Sequence, residues 1–250
     1  MNARFISYTG RFLNLTLTDL EEALYRIAKK QNGLALSVLA NNPDVLKEWL
    51  QRCSVSTKEK IETLSLKRQC SFMLGRLAAY KALRKLNFVS SEQFIFHQLE
   101  LVKYEDSYRK LWSNGCRGSL SHSQEFVVAM VGLDSVYKGV GVDTEVCLAP
   151  EVANQICWDV ISKSELEIAL SYGLSFEESV TLIFSLKESV FKVLTLEVQK
   201  DFHFKDLSLV FLDNGSAVLR MKKTNYADLK LNFYVSWTSF KGSFFTFCLI

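Results

Sequence analysis

The stretch FSLKESVFKV, residues 184–193, reads as a buried helix interrupted by three charges, Lys187, Glu188 and Lys192. Glu188 and Lys192 stand one helical turn apart, within reach of each other. Lys187 lies about 100° round the helix from Glu188. Phe184, Phe191 and Leu194 are apolar neighbours on a side close to Glu188, which puts that acid at the margin of a core. A carboxylate so placed is partly desolvated, and desolvation raises its proton affinity toward the range of a general base. Lysines at the same margin offer point charges to phosphate oxygens. An ordinary salt bridge on a helix rim would produce the same spacing.

Working outward, this stretch ends a helical pattern over 176–195, one of two long ones in the chain. The other covers 57–87, where Leu64, Phe72, Leu77 and Leu83 recur among charges at intervals suited to one apolar stripe. Shorter helices are expected over 18–30, over 41–53 with Asn42 as cap and Pro43 at the first position, and over 151–173. Strands are expected in QNGLALSVLA (31–40), FIFHQLEL (94–101) and GVGVDTEVCL (139–148). GSLSHSQEFVVAMVGL (118–133) reads as two strands joined by a polar turn at 121–125. The tail from 207 is strand-like, with the turn signal Asp213-Asn214-Gly215 between β-rich arms. Each half thus holds one long helix and several strands in a similar order. The expectation is an α+β fold of two pseudo-symmetric halves, each an antiparallel sheet on a long helix, with a ligand cleft between them. The halves are placed at 1–125 and 126–250. No Pro/Gly/Ser-rich linker separates them, so they should pack tightly.

The chain has 250 residues, 48% hydrophobic and 23% charged, with a net charge of +3. That charge is too small to imply nucleic-acid binding. It is unevenly spread: residues 58–85 carry eight bases against the two acids Glu59 and Glu62, a local excess of +6 that suits an anionic partner. Six cysteines include no CxxC pair, which argues against a zinc site. No signal-peptide core and no run of about 20 apolar residues is present. A reduced, cytoplasmic, soluble protein with free thiols is expected.

Three further stretches carry chemistry. In GVGVDTE (139–145), strand alternation points Asp143 and Glu145 to one face about 7 Å apart, where they repel unless a cation or base sits between them. Mg²⁺ prefers such oxygen ligands and commonly accompanies phosphate; a solvated acidic edge is the alternative. In GSLSHS (118–123), Ser121 and His122 are adjacent, so on a strand they face opposite sides, and anion binding fits them better than a nucleophile–base pair. In LKRQCSFMLGRLAAYKAL (66–83), Arg68 and Arg76 lie two turns apart and within about 80° in azimuth, suited to one dianionic phosphate or to a solvated basic face. Gly75, unfavourable inside a helix, suggests the close approach of another backbone.

These stretches, taken in chain order over residues 66–195, resemble the 4′-phosphopantetheinyl transferase superfamily. The likeness is to its two-half bacterial members of the enterobactin-synthetase-component type, which serve siderophore and other nonribosomal peptide synthetases. The resemblance implies Mg²⁺-dependent transfer of the phosphopantetheine arm of coenzyme A to a serine of an apo acyl, aryl or peptidyl carrier protein, with release of adenosine 3′,5′-bisphosphate. Carried over by motif, Asp143, Glu145 and Glu188 would hold Mg²⁺ on the pyrophosphate. Glu188 would also deprotonate the carrier serine, and Lys192 would neutralise the pyrophosphate. Lys187 would contact the coenzyme, Arg68 and Arg76 would grip its 3′-phosphate, and Ser121 and His122 would bind phosphate oxygens. A monomer is expected, since two halves in one chain build the whole cleft.

Departures from the pattern are present. The segment 101–115 lacks the proline found in many relatives and leaves Lys103, Arg109 and Lys110 competing for one coenzyme contact. Phe184 replaces the usual tryptophan, and Thr144 replaces the usual aliphatic residue between the two acids. The competing reading is a non-catalytic module of the same shape that binds a carrier protein or coenzyme A.

Overall fold

A computed structural model describes residues 32–89, 115–222 and 232–250, together with Leu20, Glu22, Leu24 and Trp112. The expected strand at 94–101 and the three competing bases Lys103, Arg109 and Lys110 lie outside the described residues. Of the expected helix at 18–30, Leu20 and Leu24 are helical and buried, and Glu22 is helical and exposed.

The first half runs β1 (Leu34–Ala40), α1 (Pro43–Gln51), α2 (Val55–Glu62), α3 (Leu66–Lys85), β2 (Cys116–His122) and β3 (Phe126–Leu133). The second runs β4 (Val140–Val146), α4 (Pro150–Val160), α5 (Lys163–Ser171), α6 (Phe176–Phe191), α7 (Leu196–Lys200), β5 (Leu207–Asp213), β6 (Ser216–Met221), β7 (Asn232–Phe240) and β8 (Ser243–Leu249). Both sheets are antiparallel, ordered β1-β3-β2 and β4-β8-β7-β6-β5. In each half the first described strand pairs with the last; among the described residues, three α-helices stand between the first strand and the second in the first half and four in the second. The pseudo-symmetry expected from element order is therefore present in the strand pairing as well.

The layers run helix, sheet, sheet, helix. α3 buries Met73, Leu74, Leu77 and Leu83 against Val127, Ala129 and Val131 of β3. The opposite faces of the two sheets meet in a shared core containing Leu36, Val38, Val128, Met130, Val142, Phe245 and Phe247, which Leu20 and Leu24 join. Phe126 and Phe245 touch across it with ring centroids 5.3 Å apart. α6 closes the outer face of the second sheet with Val180, Ile183, Leu186 and Val190, all fully buried. Each such side chain contributes about 1.5–3 kcal/mol relative to exposure.

Local signals explain the element ends. Asn42 caps α1 by accepting from the Asp44 N–H at 2.9 Å, with Pro43 at the first position as expected. α6 begins at a capping box in which Ser175 accepts from the Glu178 N–H while the Glu178 carboxylate accepts from the Ser175 N–H. Asn214-Gly215 turns β5 into β6, with Gly215 at φ 81°.

Three expectations are corrected. The helix expected over 57–87 is two helices, because the chain extends at Ser65 (ψ 149°) before α3 starts. The half boundary does not fall at residue 125: β3 pairs with both β1 and β2, so the first sheet reaches Leu133 and the halves divide before Val140. Among the described residues, Gly75 meets no neighbouring backbone; a Cβ there would touch the Leu120 side chain at an ordinary 3.7 Å.

The close approach occurs instead at Gly141 on β4. A Cβ at that position would collide with the Ser189 carbonyl oxygen of α6 and stand 3.0 Å from Val193. Gly141 therefore sets how deeply α6 seats on β4. The two glycines should respond oppositely in chemical denaturation. Gly141→Ala is expected to destabilise by about 3 kcal/mol through overpacking. Gly75→Ala is expected to stabilise by up to about 1 kcal/mol through helix propensity; a loss of stability there would mean that the site lacks the room described.

Candidate active site

Because α6 seats closely on β4, side chains from both converge at the seam between the halves. Asp143, 2% exposed, points from β4 toward α6. Its Oδ1 accepts from the Ser121 hydroxyl at 2.7 Å and the Lys192 ammonium at 2.8 Å; its Oδ2 accepts from the Ser185 hydroxyl at 2.8 Å. Lys192 also donates to the Val142 carbonyl at 3.0 Å, and the Val142 N–H donates to the Ser119 hydroxyl at 3.1 Å. The two serines belong to β2, in the other half. β4 is an edge strand here, and side chains satisfy backbone groups that a further strand would otherwise pair.

Lys192 thus turns to β4 and pairs with Asp143 and not with Glu188, one turn away, so the rim salt bridge weighed as the alternative does not form. Its charge still reaches both remaining acids. Burial pushes the half-buried Glu145 carboxyl up to about 8; the Asp143 charge adds to this, Lys192 opposes it, and Glu188 contributes a further rise. Burial likewise raises Glu188, with Lys192 pulling the other way and Asp143 reinforcing. Asp143, Glu145 and Glu188 therefore form one electrostatic unit in which three acids share one lysine.

Ser121 and His122 separate, as strand alternation requires. Ser121 is buried on Asp143, while His122 is exposed on the other side of β2. Burial of part of the imidazole, then the charges of Lys192, Lys67 and Arg68, hold His122 below its ordinary range against the opposing pull of Asp143. Exposed Lys67 and Arg68 open α3, and their charges act on the same imidazole as those of Lys192 and Asp143. Lys67 was not singled out from the sequence; its place beside Arg68 in the basic run was the available signal. Arg76, two turns on, lays its guanidinium on the Phe72 ring, 3.4 Å from the centroid, and donates to the Phe72 carbonyl at 3.3 Å.

Lys187 is not at this site. It is fully buried on the far side of α6, where its ammonium pairs with Glu165 at 2.8 Å and donates to the Val160 carbonyl at 2.7 Å. Burial pushes its pKa down, and Glu165 opposes that. Glu165 also accepts from the Leu209 N–H and from both the backbone and hydroxyl of Ser162, tying α4, α5, α6 and β5 together. The resemblance assigns Lys187 to the coenzyme, and a motif does not tell which neighbour covers a helix face. Nothing in the weakly patterned stretch 151–173 marks Glu165 as the partner of a buried lysine.

Among the described residues, no three His, Cys, Asp or Glu side chains already form a closed metal cage. The donor set nonetheless fits a hard divalent ion. Mg²⁺ keeps several waters and takes one or two carboxylates plus substrate phosphate, not an all-protein cage. A half-buried Glu145 crowded by two other acids is what a cation would relieve. Among the described residues, no helix is long and apolar enough to cross a membrane, and none of the six cysteines is in a disulfide.

An edge of carboxylates from one half and a basic helix end from the other suit a phosphorylated ligand and its counter-ion, and comparison with known families bears on which class of protein carries them. Residues 139–241 match the 4′-phosphopantetheinyl transferase superfamily, and residues 57–132 match the 4′-phosphopantetheinyl transferase N-terminal domain. The chain belongs to this superfamily and to its two-half bacterial type. It is 28% identical over 134 residues to enterobactin synthase component D of Salmonella typhi, covering 54% of this chain and 51% of that one. It is 26% identical over 161 residues to the protein of the same name from Escherichia coli O157:H7, covering 64% and 70%. The matched region thus spans about half the length of the Salmonella relative. A crystal structure of Thermotoga maritima holo-[acyl-carrier-protein] synthase aligns at 24% identity with a TM-score of 0.34, over 45% of this chain and 62% of that chain.

The assignment of Lys187 to the core has a stability consequence. Lys187→Met leaves Glu165 buried without its cation and is expected to cost about 3–5 kcal/mol. Urea denaturation measures this, and an unchanged midpoint would put Lys187 back at the surface.

Proposed function

We propose that the chain transfers the 4′-phosphopantetheine arm of coenzyme A to a serine of a carrier protein. The observation that carries this reading is the convergence of Asp143, Glu145, Glu188 and Lys192 on one seam, opposite Lys67, Arg68 and His122. Phosphoryl transfer asks a protein chiefly for positioning and charge neutralisation, and this seam offers both. The attacking hydroxyl belongs to the carrier, so the site needs no nucleophile of its own.

In the reaction, the serine oxygen forms a bond to the β-phosphorus of coenzyme A, the phosphoanhydride bond to the adenosine moiety breaks, and adenosine 3′,5′-bisphosphate leaves. Glu188 accepts the serine proton, directly or through water; the raised proton affinity of a half-buried carboxyl suits that task. Lys192 sits where it can neutralise pyrophosphate charge. Asp143, Glu145 and Glu188 would hold Mg²⁺, which when bound polarises phosphoryl oxygens and offsets charge on the leaving group. Lys67, Arg68 and the exposed His122 are offered to the 3′-phosphate. The likeness to enterobactin synthase components favours an aryl or peptidyl carrier in siderophore assembly as the acceptor. The basic run at 58–85 extends past the site and suits an acidic carrier surface.

The direct test incubates the full chain with coenzyme A, Mg²⁺ and apo aryl, peptidyl and acyl carriers, then weighs each carrier. A mass gain of one phosphopantetheine group supports transfer; no gain on any carrier favours a binding module without activity. Glu188→Gln is expected to lower transfer about a hundredfold or more while coenzyme A still binds in calorimetry. An active Gln variant would remove Glu188 from the base role.

A further inference from the structure

Two hydroxyls that cannot reach a ligand sit behind Asp143. Ser185 on α6 and Thr246 on β8 are both fully buried. Thr246 is the cross-strand partner of Asp143 in the β4–β8 ladder. Ser185 donates to Asp143 Oδ2 at 2.8 Å, lies 3.0 Å from the Thr246 hydroxyl, and through its carbonyl accepts from Thr246 at 2.8 Å.

Counting hydrogens fixes the direction of this chain. Two hydroxyl hydrogens serve three contacts. Asp143, ion-paired with Lys192, offers only acceptors, so the Ser185 hydrogen goes to Oδ2. The Thr246 hydrogen is then the one shared between the Ser185 carbonyl and the Ser185 hydroxyl. The order is Thr246 to Ser185 to Asp143, and each donor strengthens the next. Packing alone does not call for these residues. Alanine is the better helix former at position 185, and valine has the shape of threonine and suits a buried strand at 246. What the hydroxyls add is a fixed carboxylate plane. Oδ2 is held from behind by α6 and β8, while Oδ1 is presented to Lys192 and Ser121 at the seam.

We propose that Ser185 and Thr246 are positioning residues that lock the Asp143 carboxylate for divalent-cation binding, with Thr246 acting through Ser185. The inference rests on the reading of Asp143 as a cation ligand. Outer hydrogen-bond partners of metal ligands typically change affinity about 10- to 100-fold. The lower end applies here because Ser121 and Lys192 still hold Oδ1.

The experiment measures Mn²⁺ binding to the full chain in saturating coenzyme A, by electron paramagnetic resonance of the free ion, with thermal unfolding recorded in parallel. Ser185→Ala is expected to weaken Mn²⁺ about tenfold and Thr246→Val by less, both with near-unchanged melting temperatures. The double variant is expected to be no weaker than Ser185→Ala alone, because the two residues act in series. If Asp143→Asn loses Mn²⁺ while Ser185→Ala binds like the parent chain, the positioning role is overturned and the cation reading stands. Independent, additive losses from the two hydroxyls overturn the series arrangement. If Asp143→Asn binds Mn²⁺ like the parent chain, the cation reading falls and this inference falls with it.

Discussion

The seating of α6 on β4 at Gly141 is the contact from which the rest of the site follows. With no side chain at that position, the helix backbone at Ser189 comes against the strand, and Asp143, two residues further along β4, falls within hydrogen-bonding reach of Ser185 and Lys192. Were the two elements a side chain further apart, Lys192 would have to span more than its present 2.8 Å contact allows, and Oδ2 would lose its buried donor. A missing methyl group thus fixes the geometry of a charged cluster several residues away.

The same helix carries two lysine–carboxylate pairs with different surroundings. Lys192–Asp143 lies at the seam, with the lysine side chain 24% exposed. Lys187–Glu165 is sealed from solvent on the other side. A sealed ion pair is weak evidence for net stability, because desolvation offsets its attraction. Its geometric effect is clearer: Glu165 gathers Lys187, Ser162 and Leu209 around one carboxylate, which fixes the rotation of α6 about its own axis. Glu188, the residue after Lys187, then has a defined direction.

Much of this could be read in the chain beforehand, for identifiable reasons. Period-two alternation in GVGVDTE put Asp143 and Glu145 on one face, and they share it. The Asn42-Pro43 start, the β2–β3 hairpin and the Asn214-Gly215 turn depend on local chemistry and appear where that chemistry placed them. What escaped depends on contacts between distant residues. Lys187 shares a helix with Glu188, and only the packing of α5 beneath it removes it from the seam. Ser119, Ser185 and Thr246 are unremarked hydroxyls until strand register and helix seating bring them to Val142 and Asp143. The break between α2 and α3 was hidden because residues 63–65 include no glycine or proline to mark it.

The way β4 is finished at its outer margin bears on whether the halves could live apart. The Val142 N–H is met by a serine from the first half, and the carbonyl of the same residue by the lysine that also holds Asp143. Severed from residues 1–133, the second half would present a raw strand border and a bared aromatic face where Phe245 and Phe247 now lie covered. Such a fragment would be sticky, and a gene split at this joint would make a poor pair of proteins. The union of the two halves is therefore a condition of solubility as well as of the site.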